Sequence, residues 1–273
     1  MSPSKAAVEA QNRGPLARTA LLLYSTLVYV LFLGVFTRVI LFVQGVWLEP
    51  SIDVGPAAPL QTALLVNTGL LALFAIQHTI MARQGFKRWW TRIIPAAAER
   101  STFVLATCLI LTLMVFQWRP LPEVVWSVEG PLATVLWSLS WAGWGLVLFA
   151  SFLIDHFDLF GLRQGVMAFR GLAYEEPRFH MPALYRRTRH PLYLGLVVAF
   201  WSAPTMTQGH LFFAAVTTFY VVFVGIRLEE RDLQRAHGAS YAAYKRRVPM
   251  LIPGLGGRKD AAASDASGAE LAS

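Results

Sequence analysis

Apolar residues run along this chain in long unbroken stretches, without the alternation of a half-buried strand or the single stripe of a surface helix. The first covers residues 19–47 and carries one charge, Arg38. The second, 60–81, is free of charged residues but holds Gln61, Asn67, Gln77 and His78. Stretches 102–118 and 131–154 carry no charge, 192–207 is short and contains Pro204, and 211–226 closes the series. A helix needs about 20 mostly apolar residues to cross a bilayer. The pattern therefore predicts an all-α, polytopic integral membrane protein of five or six transmembrane helices, the short fifth stretch deciding the number. Only Gln208, Gly209 and His210 part the last two stretches, which predicts a tight helical hairpin. A membrane β-barrel is excluded, because lipid-facing strands alternate. The first stretch is too long for a cleavable signal and is followed by more membrane.

Charge then orients the bundle. The net charge is +8, and 22 of the 24 basic residues fall before the first stretch, after the second, after the fourth or after the sixth. The opposite loops hold Arg119 beside the acidic Glu49, Asp53, Glu123 and Glu129. By the positive-inside rule both termini are expected to be cytoplasmic. The basic excess is thus a topology signal, and a nucleic-acid partner is not expected. Trp47 and Trp118 are expected at the outer interface, Trp89 and Trp90 at the inner one. With 55% hydrophobic and 15% charged residues, disorder is confined to the ends: a flexible stretch 1–14 and a tail 254–273, flanking one domain over 15–253. The lone Cys108 excludes a disulfide framework and lies mid-span, as a packing residue.

Ionisable side chains at membrane depth are costly and hence candidates for function. His78 lies near the cytoplasmic end of the second stretch, and Asp155, His156 and Asp158 leave the fourth interleaved with Phe157, Leu159 and Phe160. His156 and Asp158 lack the i, i+4 spacing of a helical metal pair, so no metal site is expected. Topology gathers His78, His156 and Asp158 near one boundary. His156 is the leading candidate base, Asp158 the group that orients it or holds a basic residue, and His78 a further polar wall. The run Arg189-His-Pro-Leu-Tyr-Leu-Gly195 starts the fifth helix, with free backbone N–H groups suited to an anion. The hairpin returns Glu229 and Glu230 to the same side, followed by Tyr241 and Tyr244 on one helix face. Anion-binding backbone, carboxylates and aromatic rings suit a ligand with an amino-acid end and a cationic centre.

Arg189-His-Pro-Leu-Tyr193, Glu229-Glu230-x-x-Leu233 and His237-Gly238-x-x-Tyr241-x-x-Tyr244 together resemble the C-terminal signature of the isoprenylcysteine carboxyl methyltransferases, with His237-Gly238 where Phe-Gly is usual. Phe74-Ala-Ile-Gln-His78, Glu99-Arg-Ser-Thr102, Gln117-Trp-Arg-Pro120, His156-Phe-Asp-Leu-Phe-Gly-Leu-Arg-Gln164 and Pro204-Thr-Met-Thr207 resemble one branch of that group, the bacterial methanethiol S-methyltransferases. The resemblance implies a cytoplasmic pocket for S-adenosylmethionine, formed by Arg189, His190, Tyr193, Leu194, Gly195, Glu229, Glu230, Tyr241 and Tyr244. It implies methyl transfer to methanethiol, a small thiol able to enter from the lipid bilayer, giving dimethyl sulfide. The alternatives are a membrane methyltransferase acting on a prenylcysteine carboxylate or lipid amine, and a non-enzymatic NnrU-like membrane protein.

Overall fold

The computed structural model describes residues 14–175 and 182–255. Except for residues 14, 254 and 255, the two expected flexible ends lie outside them. In chain order the helices are α1 (Pro15–Gln44), α2 (Leu60–Met81), α3 (Gln84–Trp90), α4 (Ala96–Gln117), α5 (Gly130–Ile154), α6 (His156–Leu159), α7 (Leu162–Phe169), α8 (Pro191–Trp201), α9 (Gln208–Tyr220) and α10 (Ile226–Arg247). Proline sets half of the starts. Pro15 and Pro191 open α1 and α8, Pro131 stands in the first turn of α5, and Pro59 and Pro95 precede α2 and α4. At these positions the missing N–H is one the helix could not have paired.

Among the described residues, five helical rods are long and apolar enough to cross a membrane: α1, α2, α4, α5 and Gln208–Arg247, in which a π-turn, Val221–Gly225, joins α9 to α10. Their outer faces carry Leu27, Leu65, Ile76, Leu109 and Phe149, all more than half exposed and suited to lipid. Between helices the packing depends on small residues. A Cβ on Gly143 would stand 2.6 Å from the Ala199 nitrogen, and one on Gly195 2.7 Å from the Gly143 oxygen, so α5 and α8 meet backbone to backbone. Gly195 thus has a packing function whatever else it does.

The short fifth stretch departs from its expected form. Helix α8 ends at Trp201, and an extended segment carries the chain on to a strand, β2 (Thr205–Thr207). That strand pairs antiparallel with β1 (Val124–Ser127) from the loop between α4 and α5, aligning Trp126 with Met206. Helix and extended segment together therefore reach the opposite end of the bundle. Residues 208–210 are the first turn of α9 and not a loop, because the Thr207 hydroxyl accepts from the His210 N–H at 3.1 Å and caps the helix there. Trp118 also differs from expectation. It is 1% exposed, donates its indole N–H to the Ile52 carbonyl at 3.1 Å, and packs edge-on against Phe42 and Phe213 in the core. Trp47 is 80% exposed, as an interfacial residue should be.

Candidate active site

Where α8 begins, His190 has non-helical backbone angles and Pro191 takes the first helical position. The chain just before it is clasped by the end of the domain: the N–H groups of Arg189 and His190 donate to the carbonyls of Pro249 and Met250. Opposite, α10 holds Glu229 and Glu230, neighbours whose side chains diverge because successive helix positions are about 100° apart. Glu230 points inward. One of its oxygens lies 3.0 Å from Arg189 and 3.2 Å from Nε2 of His190; the other lies 2.6 Å from Lys245. The side chains of Arg189 and Glu230 are each 8% exposed, that of His190 2%. Glu229 is 42% exposed, 3.8 Å from Nδ1 of His190, and faces a cavity.

Gly238, with φ +53°, interrupts the regular path of α10. At that angle a Cβ would be strained, and the kink sets the direction of the last turns. Those turns place Tyr241 and Tyr244 against each other, ring centroids 5.8 Å apart, and Tyr244 donates to the Tyr185 carbonyl at 2.7 Å. Burial pushes the Tyr185 phenol above its ordinary range, aided by the nearby Glu229 carboxylate, so it stays a neutral ring and donor.

The cavity has a volume of about 560 Å³. That is within the roughly 300–1,000 Å³ usual for small-molecule sites. One wall is Arg189, Glu229, His237, Tyr241, Tyr244 and Tyr185; the facing wall comes from α4 to α7 and includes Arg100, Ile154, Asp155, Asp158 and Gln164. Helix α3 contributes Lys87 and Arg88, while its Trp89 and Trp90 pack together, ring centroids 5.6 Å apart.

Asp155 links α5 to α6 at φ +124°, a rare conformation for a residue with a Cβ. Its carboxylate holds the turn by accepting from the Asp158 N–H at 3.2 Å and from Arg163 at 2.9 Å. Asp158 in turn accepts from the Tyr174 hydroxyl at 3.0 Å. Burial raises its pKa above the ordinary carboxylate range; the Tyr174 bond, Arg163 and Arg100 pull the other way. Backbone strain held in place by its surroundings is a common property of working sites.

The structure thus brings Asp158 together with Arg189, Glu229, Tyr241 and Tyr244 around one cavity. It places the other expected site residues behind these. His156 is 3% exposed and stacks on Phe152 at 4.1 Å; its Nδ1 bonds the Ser151 hydroxyl at 2.8 Å and its Nε2 the Tyr29 hydroxyl at 2.9 Å. Burial lowers its pKa, so the ring is neutral at pH 7. His78 stacks on Phe74 and lies 4.9 Å, ring to ring, from Phe103, with Nδ1 buried and unpartnered among the described residues. His190 and Glu230 form the buried ion network, Tyr193 leans on His190 with ring centroids 5.7 Å apart, and Leu194 and Gly195 continue α8. Arg100, Tyr174 and Tyr185 were not singled out from the sequence, although Arg100 stands inside the Glu99-Arg-Ser-Thr102 match.

Comparison with known proteins identifies the family. A family model described as a protein of unknown function, DUF1295, matches residues 109–248. Methanethiol S-methyltransferase 2 of Bradyrhizobium diazoefficiens is 48% identical over 243 residues, covering 89% of this chain and 93% of that protein. The methanethiol S-methyltransferase of Mycobacterium tuberculosis is 49% identical, covering 85% of this chain and 95% of its own. Human nurim is more distant, at 33% identity over 70% of this chain and 74% of its own. No solved structure matches. At these identities, across most of its length, the chain belongs to the methanethiol S-methyltransferase family.

Proposed function

We propose that this protein is an enzyme that methylates methanethiol to dimethyl sulfide with S-adenosylmethionine as donor, drawing the thiol from the bilayer and the donor from the cytoplasm. The observation that carries this reading is that one cavity has both kinds of wall. One wall offers what a sulfonium amino acid needs, and the other offers a carboxylate and a guanidinium to a small acceptor. S-Adenosylmethionine, when bound, supplies a methyl group activated by the positive sulfur. Glu229 is placed to take the ammonium end of such a ligand and Arg189 its carboxylate. The rings of Tyr185, Tyr241 and Tyr244 suit a sulfonium or a base by cation–π contact and stacking. Glu230, His190 and Lys245 hold Arg189 and the start of α8 in position.

Toward the acceptor, Asp158 lines the cavity and is the carboxylate whose proton affinity burial raises, so it is assigned to take the thiol proton. His156 works one shell further out: by bonding Ser151 and Tyr29 it fixes the α5–α6 turn on which Asp158 is carried. His78 backs Phe103, the ring on which Arg100 rests. Positioning matters because displacement at carbon requires nucleophile, methyl and leaving sulfur in line, and alignment alone is worth several kcal/mol of barrier (about 7–11 at best).

Calorimetry with S-adenosylhomocysteine tests the donor site. Purified protein should bind it, and Glu229→Gln should lose about 1.5–3 kcal/mol, the range for a hydrogen bond to a charged group. Unchanged binding in folded Glu229→Gln would place the donor elsewhere. We further propose that the chain sits in a bacterial inner membrane with both termini cytoplasmic, on the strength of the 22-of-24 basic asymmetry. A C-terminal fusion to an enzyme active only in the periplasm should be silent; activity there would reverse the topology.

A further inference from the structure

The reading above leaves open how a thiol is made nucleophilic, since the thiolate and not the thiol attacks. A free thiol of pKa near 8.5 or above is mostly protonated at pH 7. A carboxylate that takes the proton is only half an answer; the resulting anion must also be held in the cavity. Of the cavity cations, Arg189, held by Glu230 at 3.0 Å, is the one assigned above to the donor's carboxylate. Lys87 and Arg88 ride on α3, the short helix bearing Trp89 and Trp90. Arg100 differs from all three. Its Nε donates to the Leu159 carbonyl at 2.6 Å, and its Cζ lies 4.9 Å from the centre of the Phe103 ring, so the guanidinium is clamped from two sides. Among the described residues no carboxylate oxygen comes within 4.0 Å of it. The ionisable groups acting on it are Glu99 from its own helix, Asp158 from α6, Tyr174 from the segment after α7, and His78 from α2. The carbonyl it holds, that of Leu159, is one residue from Asp158.

Resting on the proposed function, we infer that Arg100 is a catalytic residue that binds the acceptor as its thiolate, with Asp158 as the proton acceptor beside it. The thiol S–H bond breaks, its proton passes to a carboxylate oxygen of Asp158, and the sulfur keeps the electron pair next to the guanidinium. That pair forms the new S–CH₃ bond as the donor's S–CH₃ bond breaks, its electrons returning to the positive sulfur. Asp158 then releases the proton to solvent. Charge balances at each stage: the cation stays on Arg100, which does not deprotonate in proteins, and the carboxylate is neutral while the thiolate is present.

The test is the pH dependence of turnover in purified enzyme. Arg100→Gln should lower kcat/KM for methanethiol at pH 7 by about 10²-fold, as when one donor to a developing anion is removed. The loss should shrink as pH rises and solution supplies thiolate, with S-adenosylhomocysteine affinity unchanged. Arg100→Lys, which keeps the charge, should recover much of the rate. A profile for Arg100→Gln parallel to that of the wild type would mean that the residue only braces Leu159 and would overturn the inference. A wild type silent toward methanethiol would overturn the proposed function itself, so the two failures are distinct. A second readout needs no variant to fold: thiocyanate, a soft monoanion, should inhibit the wild type competitively with methanethiol but not with the donor. Absence of that competition at millimolar concentration would overturn the inference.

Discussion

Asp158→Asn should abolish nearly all turnover with methanethiol, by about 10²–10⁴-fold, the usual worth of a positioned base. The amide keeps the size of the carboxylate and an acceptor for the Tyr174 hydroxyl, so the turn held by Asp155 and Arg163 should survive and the protein should fold. What is lost is the capacity to take a proton. Because burial raises the Asp158 pKa, the acid limb of the wild-type profile should stand above the ordinary carboxylate range. Activity depends on the ionised form, so it falls as pH drops through that raised value, and Asp158→Asn should show no such limb. Rate measurements from pH 4 to 9 on both proteins check this. Full activity in a folded Asp158→Asn would show that the thiol ionises without it. His156→Ala should act differently: both ring nitrogens are engaged, so its loss should loosen the α5–α6 turn and lower stability and rate together.

Glu230→Ala should be the most damaging single change to the fold among the charged residues of this site. The residue is 7% exposed, and its carboxylate is shared by Arg189, His190 and Lys245. Removing it leaves the Arg189 guanidinium, 8% exposed at its side chain, without its counter-charge. Breaking a buried ion pair from one side costs about 3–5 kcal/mol, far more than an exposed pair contributes. Thermal unfolding in detergent should therefore shift strongly downward for Glu230→Ala and little for Glu229→Ala, whose side chain is 42% exposed. Equal shifts for the two would mean that the network does not brace the site.

That contrast marks how far the sequence alone could be read. The membrane spans were legible because crossing a bilayer demands a length of apolar residues, and four of the long helices lie on the runs that predicted them. The short fifth stretch was legible only as an anomaly. Its strand depends on pairing with a loop some 80 residues away, and the Thr207 cap that starts α9 is a single side-chain bond. Trp118 looked like an interfacial residue because composition cannot show that Ile52 folds back to cover it. Within the site, Glu229 and Glu230 are adjacent and chemically alike, and only the helix phase separates the one that faces the cavity from the one that binds Arg189. The same holds for His156 and Asp158. The histidine drew attention by its chemistry, whereas the structure engages both its nitrogens and presents the carboxylate to the cavity. Arg100 was hidden for another reason: among 24 basic residues that report topology, one that points into the cavity looks like the rest.

The central claim is that one cavity holds donor and acceptor together. Purified wild-type protein, given methanethiol and S-adenosylmethionine labelled in its methyl group, should release dimethyl sulfide carrying one label per molecule into the headspace. Omitting either substrate should stop the release, and Asp158→Asn should all but stop it. Absence of labelled dimethyl sulfide from folded protein that binds S-adenosylhomocysteine would contradict the account and turn attention to a prenylcysteine or lipid-amine acceptor.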